Sequence, residues 1–224
     1  MNLVLDGVTL TMPPKSLSDR EKHAAQRIGH MWLRTGEKLP PNAFTYNRYG
    51  VQLGIKVPLW GGFTGGGKFT LRLWTPRPKM TKVDWEGHVP ALKRAVDAAE
   101  AQAPERNTKR AKVWHDNEKF LLCPDAYRRC NLVQVRFPPN SGDLNPIETV
   151  WAWLRQGLAE REQEDLAAGR VLTAAMFRKR AAQLLNSYGV PAPGETYSSL
   201  SKLVRGMPAR LAKCRKNKFG RCGK

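Results

Sequence analysis

The chain has 224 residues and carries 38 Lys and Arg against 19 Asp and Glu, a formal net charge of +19. A hydrophobic share of 41% is enough to bury a core. That excludes a disordered basic tail and leaves one large domain or one domain with appendages. No run of ~18 apolar residues is present, so no transmembrane helix is expected. The start, MNLVLDG, has neither the basic flank of a signal peptide nor the Arg-rich amphipathy of mitochondrial targeting.

In chain order, LVLDGVTLTM (3–12) reads as a strand closed by Pro13-Pro14. Residues 15–30 are polar and helix-compatible, and 35–50 form a Pro-, Asn- and Tyr-rich loop. KVPLWGGF (56–63) and KFTLRLW (68–74), joined by TGGG, predict a β-hairpin. From Thr81 the helical spacing of Trp85, Val89, Leu92 and Val96 predicts a helix, with Pro104 as its stop. A basic loop covers 105–112. AKVWHDN (111–117) and LVQVRFPP (132–139) are two further strands. NPIETVWAWLRQGLAERE (145–162) is the most legible helix. Asn145 is its expected N-cap, Pro146 then falls at N1, and Ile147, Val150, Trp151, Leu154 and Leu158 form its apolar stripe. A second helix at about 172–187 has Leu172, Met176 and Leu184 near one face. GVPAPGETYSS (189–199) is a linker, and a short helix leads into the tail. This order of elements predicts a mixed α/β sheet.

Charge is uneven along the chain. Residues 1–112 hold 19 basic and 9 acidic side chains, 113–201 hold 10 and 10, and 202–224 hold 9 and none. Basic flanks around a neutral centre point to a polyanion, most simply nucleic acid bound through its phosphates. A solubilising surface or a nuclear-import tag explains the tail KCRKNKFGRCGK almost as well. No lipidation signal supports a membrane partner. The spacings Cys123-x6-Cys130 and Cys214-x7-Cys222 fit no zinc ribbon or knuckle, which leaves free thiols in a reducing compartment.

Three carboxylates fall where an α/β sheet builds sites. Asp6 lies in the first strand, Asp116 ends a later one, and Glu148 opens the helix after the next. Brought together, they would repel one another unless a cation neutralised them, and hard oxygen ligands suit Mg²⁺ or Mn²⁺. Each also has a plain structural reading. Glu148 at N3 fits a capping box. Asp143 and Asp116-Asn117 fit side-chain turns, and Asp6-Gly7 fits an ordinary turn or bulge. Spacing alone does not choose between the two.

The stretch VWHDN…VRFPPNSGDLNPIETVWAWLR resembles the C-terminal half of the catalytic domain of mariner-superfamily DDE transposases, which have an RNase H-like fold. That family carries an Asp-Asn pair after a strand, then a Pro-Pro-x-Ser-Pro-Asp-Leu-Asn-Pro-Ile-Glu signature leading into a Trp-bearing helix. Here the pair is Asp116-Asn117 and the signature is PPNSGDLNPIE, with Gly142 at the family's Pro. MWLRTGE (31–37) and 56–74 are similar to the family's Trp-rich segment and hairpin. The resemblance covers roughly residues 1–165, leaving 166–201 as a helical extension and linker and 202–224 as a basic tail.

The resemblance implies that Asp6, Asp116 and Glu148 are the catalytic acids and hold two Mg²⁺ or Mn²⁺. Asn117 and Asp143 would orient them, and no covalent enzyme intermediate would form. Asp6 is followed by Gly7 where the family has Glu, and 109 residues separate it from Asp116. Asp19 is the alternative first acid, in a helix-like stretch. Arg155, seven residues after Glu148 on the same helix face, can touch a phosphate, as can Lys213, Arg215, Lys216 and Lys218 in the tail. A solvated Arg155 is the plain alternative. His115, and the rings of Trp60, Trp151 and Trp153, read as structural. The implied activity is metal-dependent DNA cleavage and strand transfer, and the alternative is an inactive remnant that only binds nucleic acid. The implied partners are DNA and a second copy of the chain, in the nucleus, or in the nucleoid of a bacterium. The family places helix-turn-helix modules before its catalytic domain. This chain begins five residues before Asp6, so it is expected to be a catalytic fragment, a decayed copy or a protein targeted by another subunit.

Overall fold

A computed structural model describes residues 2–13, 54–76, 80–101, 110–138 and 144–216. Five strands form one mixed sheet. They are β1 (Asn2–Met12), β2 (Ile55–Thr64), β3 (Phe69–Trp74), β4 (Ala111–His115) and β5 (Leu132–Arg136), in the spatial order β3-β2-β1-β4-β5. β1, β2 and β3 pair antiparallel, whereas β4 runs parallel to β1 and β5 parallel to β4. Among the described residues, five α-helices flank the sheet: α1 (Lys82–Glu100), α2 (Pro124–Arg129), α3 (Ile147–Ala167), α4 (Ala174–Ser187) and α5 (Ser199–Lys216). The expected α/β sheet with flanking helices is what forms. The expectations for 15–30 and 35–50, and the stop at Pro104, lie outside the described residues.

Strand alternation divides the core in two. Leu3 and Leu5 of β1 pack with Trp60, Trp85, Val89, Leu92 and Tyr127 on the face covered by α1 and α2. Val8, Leu10 and Met12 pack with Ile147, Val150, Trp151 and Leu154 of α3 on the other. Asp6 has the parity of Val8, so it points toward α3. Gly7 has the opposite parity and lies under Trp60. A Cβ there would come 2.6 Å from Trp60 Cζ2. The Glu that the family resemblance leads one to expect would therefore displace this indole, which explains the glycine.

The hairpin closes with Gly67 at φ 76°, a conformation that L side chains rarely adopt. α1 starts with a reciprocal capping box between Thr81 and Asp84. Phe177, Ala181 and Leu185 of α4, and Leu200 and Leu203 of α5, belong to the α3-side core. Arg72 of β3 bonds Asn186 Oδ1 at 2.6 Å, tying α4 to the hairpin.

Three local expectations need correction. The main helix begins at Ile147, with Pro146 as N-cap, and runs to Ala167, past the expected end at 162. Glu148 is thus its second residue; Pro146 makes no side-chain cap, and Asn145 Oδ1 accepts from Ile147 N rather than from Glu148 N, so the capping-box reading fails. α4 begins at Ala174, which leaves Leu172 ahead of it, and its buried face is Phe177, Ala181 and Leu185, with Met176 43% exposed. The last helix is 18 residues long rather than short.

Candidate active site

The parallel register of β1 and β4 brings the first two acids together. Val4 pairs with Trp114, and two residues further along each chain stand Asp6 and Asp116. Glu148 reaches the same place from the first turn of α3. One carboxylate oxygen of each lies within 4.8 Å of the others. Asp6 is 8% exposed, Asp116 half-buried and Glu148 open to solvent.

Such an arrangement is electrostatically expensive. Burial, then the Glu148 carboxylate, then Asp116 push the Asp6 pKa from 3.8 up to about 7, against bonds from the Gly7 backbone and Trp151 that favour the anion. Burial also raises Asp116, opposed by the Asn145 bond and by His115. Three hard oxygen donors, one of them ready to hold a proton near neutrality, form a ligand set suited to a divalent cation such as Mg²⁺ or Mn²⁺.

Two supporting side chains escaped the sequence reading. Trp151 Nε1–H donates to Asp6 Oδ2 at 3.1 Å. Its ring is wedged against Gly61, where a Cβ would come 2.6 Å from Trp151 Cη2, and edge-on to Phe69 at 5.8 Å. Asn145, 1% exposed, donates from Nδ2 to Asp116 Oδ1 at 3.4 Å and accepts the Ile147 N–H at 3.4 Å. It therefore links the start of α3 to the end of β4. The only signal for Asn145 was its place just ahead of the helix, and for Trp151 there was none beyond its apolar spacing.

Asn117, expected to orient the acids, instead donates to the Phe137 carbonyl at 2.8 Å. Asp143 lies outside the described residues. His115 is buried, as its structural reading required. Its Nδ1 meets Asp116 O at 2.5 Å, and its Nε2 receives Gln134 Nε2 at 2.7 Å. Those partners place the ring proton on Nδ1 and fix the backbone beside Asp116. Glu118 is a fourth carboxylate near Asp116, raised by burial and by that neighbour. Arg155, Lys213 and Lys216 are exposed on α3 and α5. The side chain of Arg215, and Lys218 altogether, lie outside the described residues. Cys123 and Cys130 are free thiols; the side chains of Cys214 and Cys222 are not described.

No protein-family model matches the chain, and no curated protein matches it by sequence. Solved structures do. The Mos1 transposase paired-end complex with left transposon end matches 99% of this chain at TM-score 0.63 and 14% identity. The catalytic domain of Mos1 mariner transposase matches 97% at TM-score 0.55 and 13% identity, and this chain covers 82% of that domain. The chain has the fold of the Mos1 mariner transposase catalytic domain. That Mos1 domain has also been solved with Mn and with Mg, each time together with Raltegravir. The chain spans 56% of the length of Mos1 transposase in the paired-end complex. The Mos1 fold agrees with the RNase H-like architecture that the PPNSGDLNPIE resemblance implies, although so few residues are identical.

Proposed function

We propose that residues 1–165 form a transposase-type catalytic domain that cleaves DNA strands and transfers them to new DNA, supported by the helical extension 166–201 and the basic tail 202–224. The observation that carries this reading is the meeting of Asp6, Asp116 and Glu148 within 4.8 Å at one edge of a Mos1-like sheet. In this reading the three acids hold two Mg²⁺ or Mn²⁺. Bound there, the ions supply Lewis-acid activation of a water or 3′-hydroxyl and stabilise the leaving oxygen.

The chain's own residues set the stage for that chemistry. Trp151 holds the Asp6 carboxylate toward the cluster. Asn145 aims Asp116, and the His115–Gln134 pair fixes the backbone that carries it. Glu148, exposed on the first turn of α3, completes the set from the solvent side. Arg155, Lys213 and Lys216 are proposed to hold phosphates, with Arg215 and Lys218 beyond them. A surface of net charge +19 offsets the repulsion between an acidic site and the DNA backbone. The paired-end assembly of Mos1 makes a homodimer the proposed working form, and DNA as substrate implies the nucleus, or the nucleoid of a bacterium. Among the described residues no helix is long and apolar enough to cross a membrane.

Purified protein with Mn²⁺ is expected to nick a short duplex, and a chelator should stop it. Salt-sensitive binding without any metal-dependent nicking would reject the enzyme and leave a DNA-binding remnant. Trp151→Phe is expected to weaken Mn²⁺ binding by about 10-fold, read by titration calorimetry, with a stability loss of ~1–3 kcal/mol from the lost bond to a charged acceptor.

A further inference from the structure

Among the described residues β5 is an edge strand, with β4 as its neighbour on one side and no strand on the other. Phe137 N donates to His115 O at 3.0 Å. Backbone groups turn to alternate sides along a paired strand, so Val133 and Val135 also direct theirs to β4. The N–H and C=O groups of Leu132, Gln134 and Arg136 then face away from the sheet. Among the described residues no backbone group pairs with them. A groove of about 490 Å³ runs along this open edge, beside α2. Leu122, Pro124 and Leu132 give it apolar walls, Arg110, Arg128 and Arg136 rim it, and no carboxylate lines it. Arg110 and Arg136 are exposed, and Arg128 has only a surface pair with Asp125 at 3.3 Å, which competes weakly with a second anion. The Gln134 amide turns inward, to Leu121 O at 2.5 Å and His115 Nε2 at 2.7 Å.

These features together describe one occupant. An open ladder accepts a peptide backbone, which offers one donor and one acceptor per residue. A phosphodiester offers acceptors only, which the outward carbonyls repel. Apolar walls take the apolar side chains of every second residue, and guanidiniums grip carboxylates by both oxygens. The groove is also remote from the metal chemistry. Leu132 belongs to the core under α1 and α2, whereas Asp6 turns to Trp151 of α3 on the other face of the sheet. A second copy of the chain, itself at +19, is a poor electrostatic match. We propose that the β5 edge docks another protein, which adds an extended acidic segment with alternating apolar side chains as a sixth strand. The five residues of β5, ~16 Å long, can pair with a segment of about the same length. This inference goes beyond the DNA-processing reading and does not rest on it.

The probe is a fluorescein-labelled peptide of ~10 residues alternating Glu and Val, with binding followed by anisotropy in EDTA. The variant Arg110→Gln/Arg128→Gln/Arg136→Gln is expected to weaken binding at least ~10-fold. A control on α1, Lys82→Gln/Lys93→Gln/Arg94→Gln, removes the same formal charge and is expected to change it less than ~2-fold. Arg136→Pro compared with Arg136→Gln isolates the backbone, because only proline removes the outward N–H while Val135 and Phe137 keep their bonds to β4. The proline variant is expected to bind a further ~2–10-fold more weakly. In the unmodified protein, the peptide should slow amide hydrogen exchange at Gln134 and Arg136 by at least ~10-fold. No binding, equal effects of the two triples, or no protection at those two amides would overturn the proposal and leave the arginines as charges that guard an edge. A short DNA duplex of equal charge that protects the same amides more than the peptide does would overturn it in favour of nucleic acid. Binding is read without metal, so a failure to nick DNA would reject the enzymatic reading and leave this result standing.

Discussion

Asp6→Asn is expected to make the metal-free protein more stable at pH 8 and to reduce its response to Mn²⁺ sharply. The first effect follows from linkage. Asp6 has a folded pKa of about 7 against 3.8 unpaired, so the folded chain holds this proton more tightly than the unfolded one. The stability from the neutral form is complete below about pH 4 and is lost as pH rises through 7. Above that, the buried anion opposes folding by on the order of 2–4 kcal/mol. An amide has the same shape, accepts the Trp151 N–H and carries no charge. The variant should therefore melt roughly 5–10 °C higher than wild type at pH 8 in EDTA, with the difference vanishing near pH 4.

Metal reverses the order. Mn²⁺ at ~100 times its Kd should stabilise the wild type by ~2.7 kcal/mol, and the variant, missing one of three anionic ligands, by far less. Nicking should fall at least ~10²-fold in Asp6→Asn, and in Glu148→Ala as well, because each removes a ligand from the charge-stabilising cluster. Thermal melts with and without Mn²⁺ at the two pH values check this directly. An unchanged metal response in Asp6→Asn would remove Asp6 from the site and return Asp19 to consideration.

The second large effect is structural. Asp165 is fully buried between α3 and α4. Its carboxylate takes both terminal nitrogens of Arg180, one at 2.8 Å, and the Nε of Arg170 at 2.9 Å. Asp165→Ala leaves Arg180, only 22% exposed, without its partner, and is expected to cost ~3–5 kcal/mol. Urea melts should show this as a lower midpoint at unchanged slope. The Arg180 bonds, followed by those of Arg170, hold the Asp165 pKa below its usual 3.8. A depressed folded pKa contributes stability that is present above about pH 4 and lost as the pH falls through the folded value. Wild type should thus lose stability on acidification more steeply than Asp165→Asn. An unfolding free energy within ~0.5 kcal/mol of wild type for Asp165→Ala would show that the pair contributes nothing net.

Much of the fold was legible because it depends on local rules. Alternation marked β1, Gly-rich punctuation marked the hairpin, and the spacing of Trp85, Val89, Leu92 and Val96 marked α1. The same rules failed where burial did not follow hydrophobicity. α4 buries Phe177, Ala181 and Leu185 and exposes Met176, so a face read from Leu172, Met176 and Leu184 missed by about one residue the stripe that Phe177 and Leu185 mark. The Asn145 side chain accepts from Ile147 N, as a residue ahead of a helix does, but its other end reaches Asp116, a partner 29 residues away that no local rule names.

By itself the sequence determined the strand and helix types, the positive surface and the three acids worth testing, since propensity, charge and motif are properties of neighbouring residues. Only the tertiary structure decided that Asp6 lies in a strand within reach of Asp116 and Glu148 rather than in a turn, and that an indole 145 residues away holds its carboxylate. The reason is physical. The parallel pairing of β1 with β4 and the packing of α3 across them bring distant groups within a few ångströms, and no local pattern encodes that proximity.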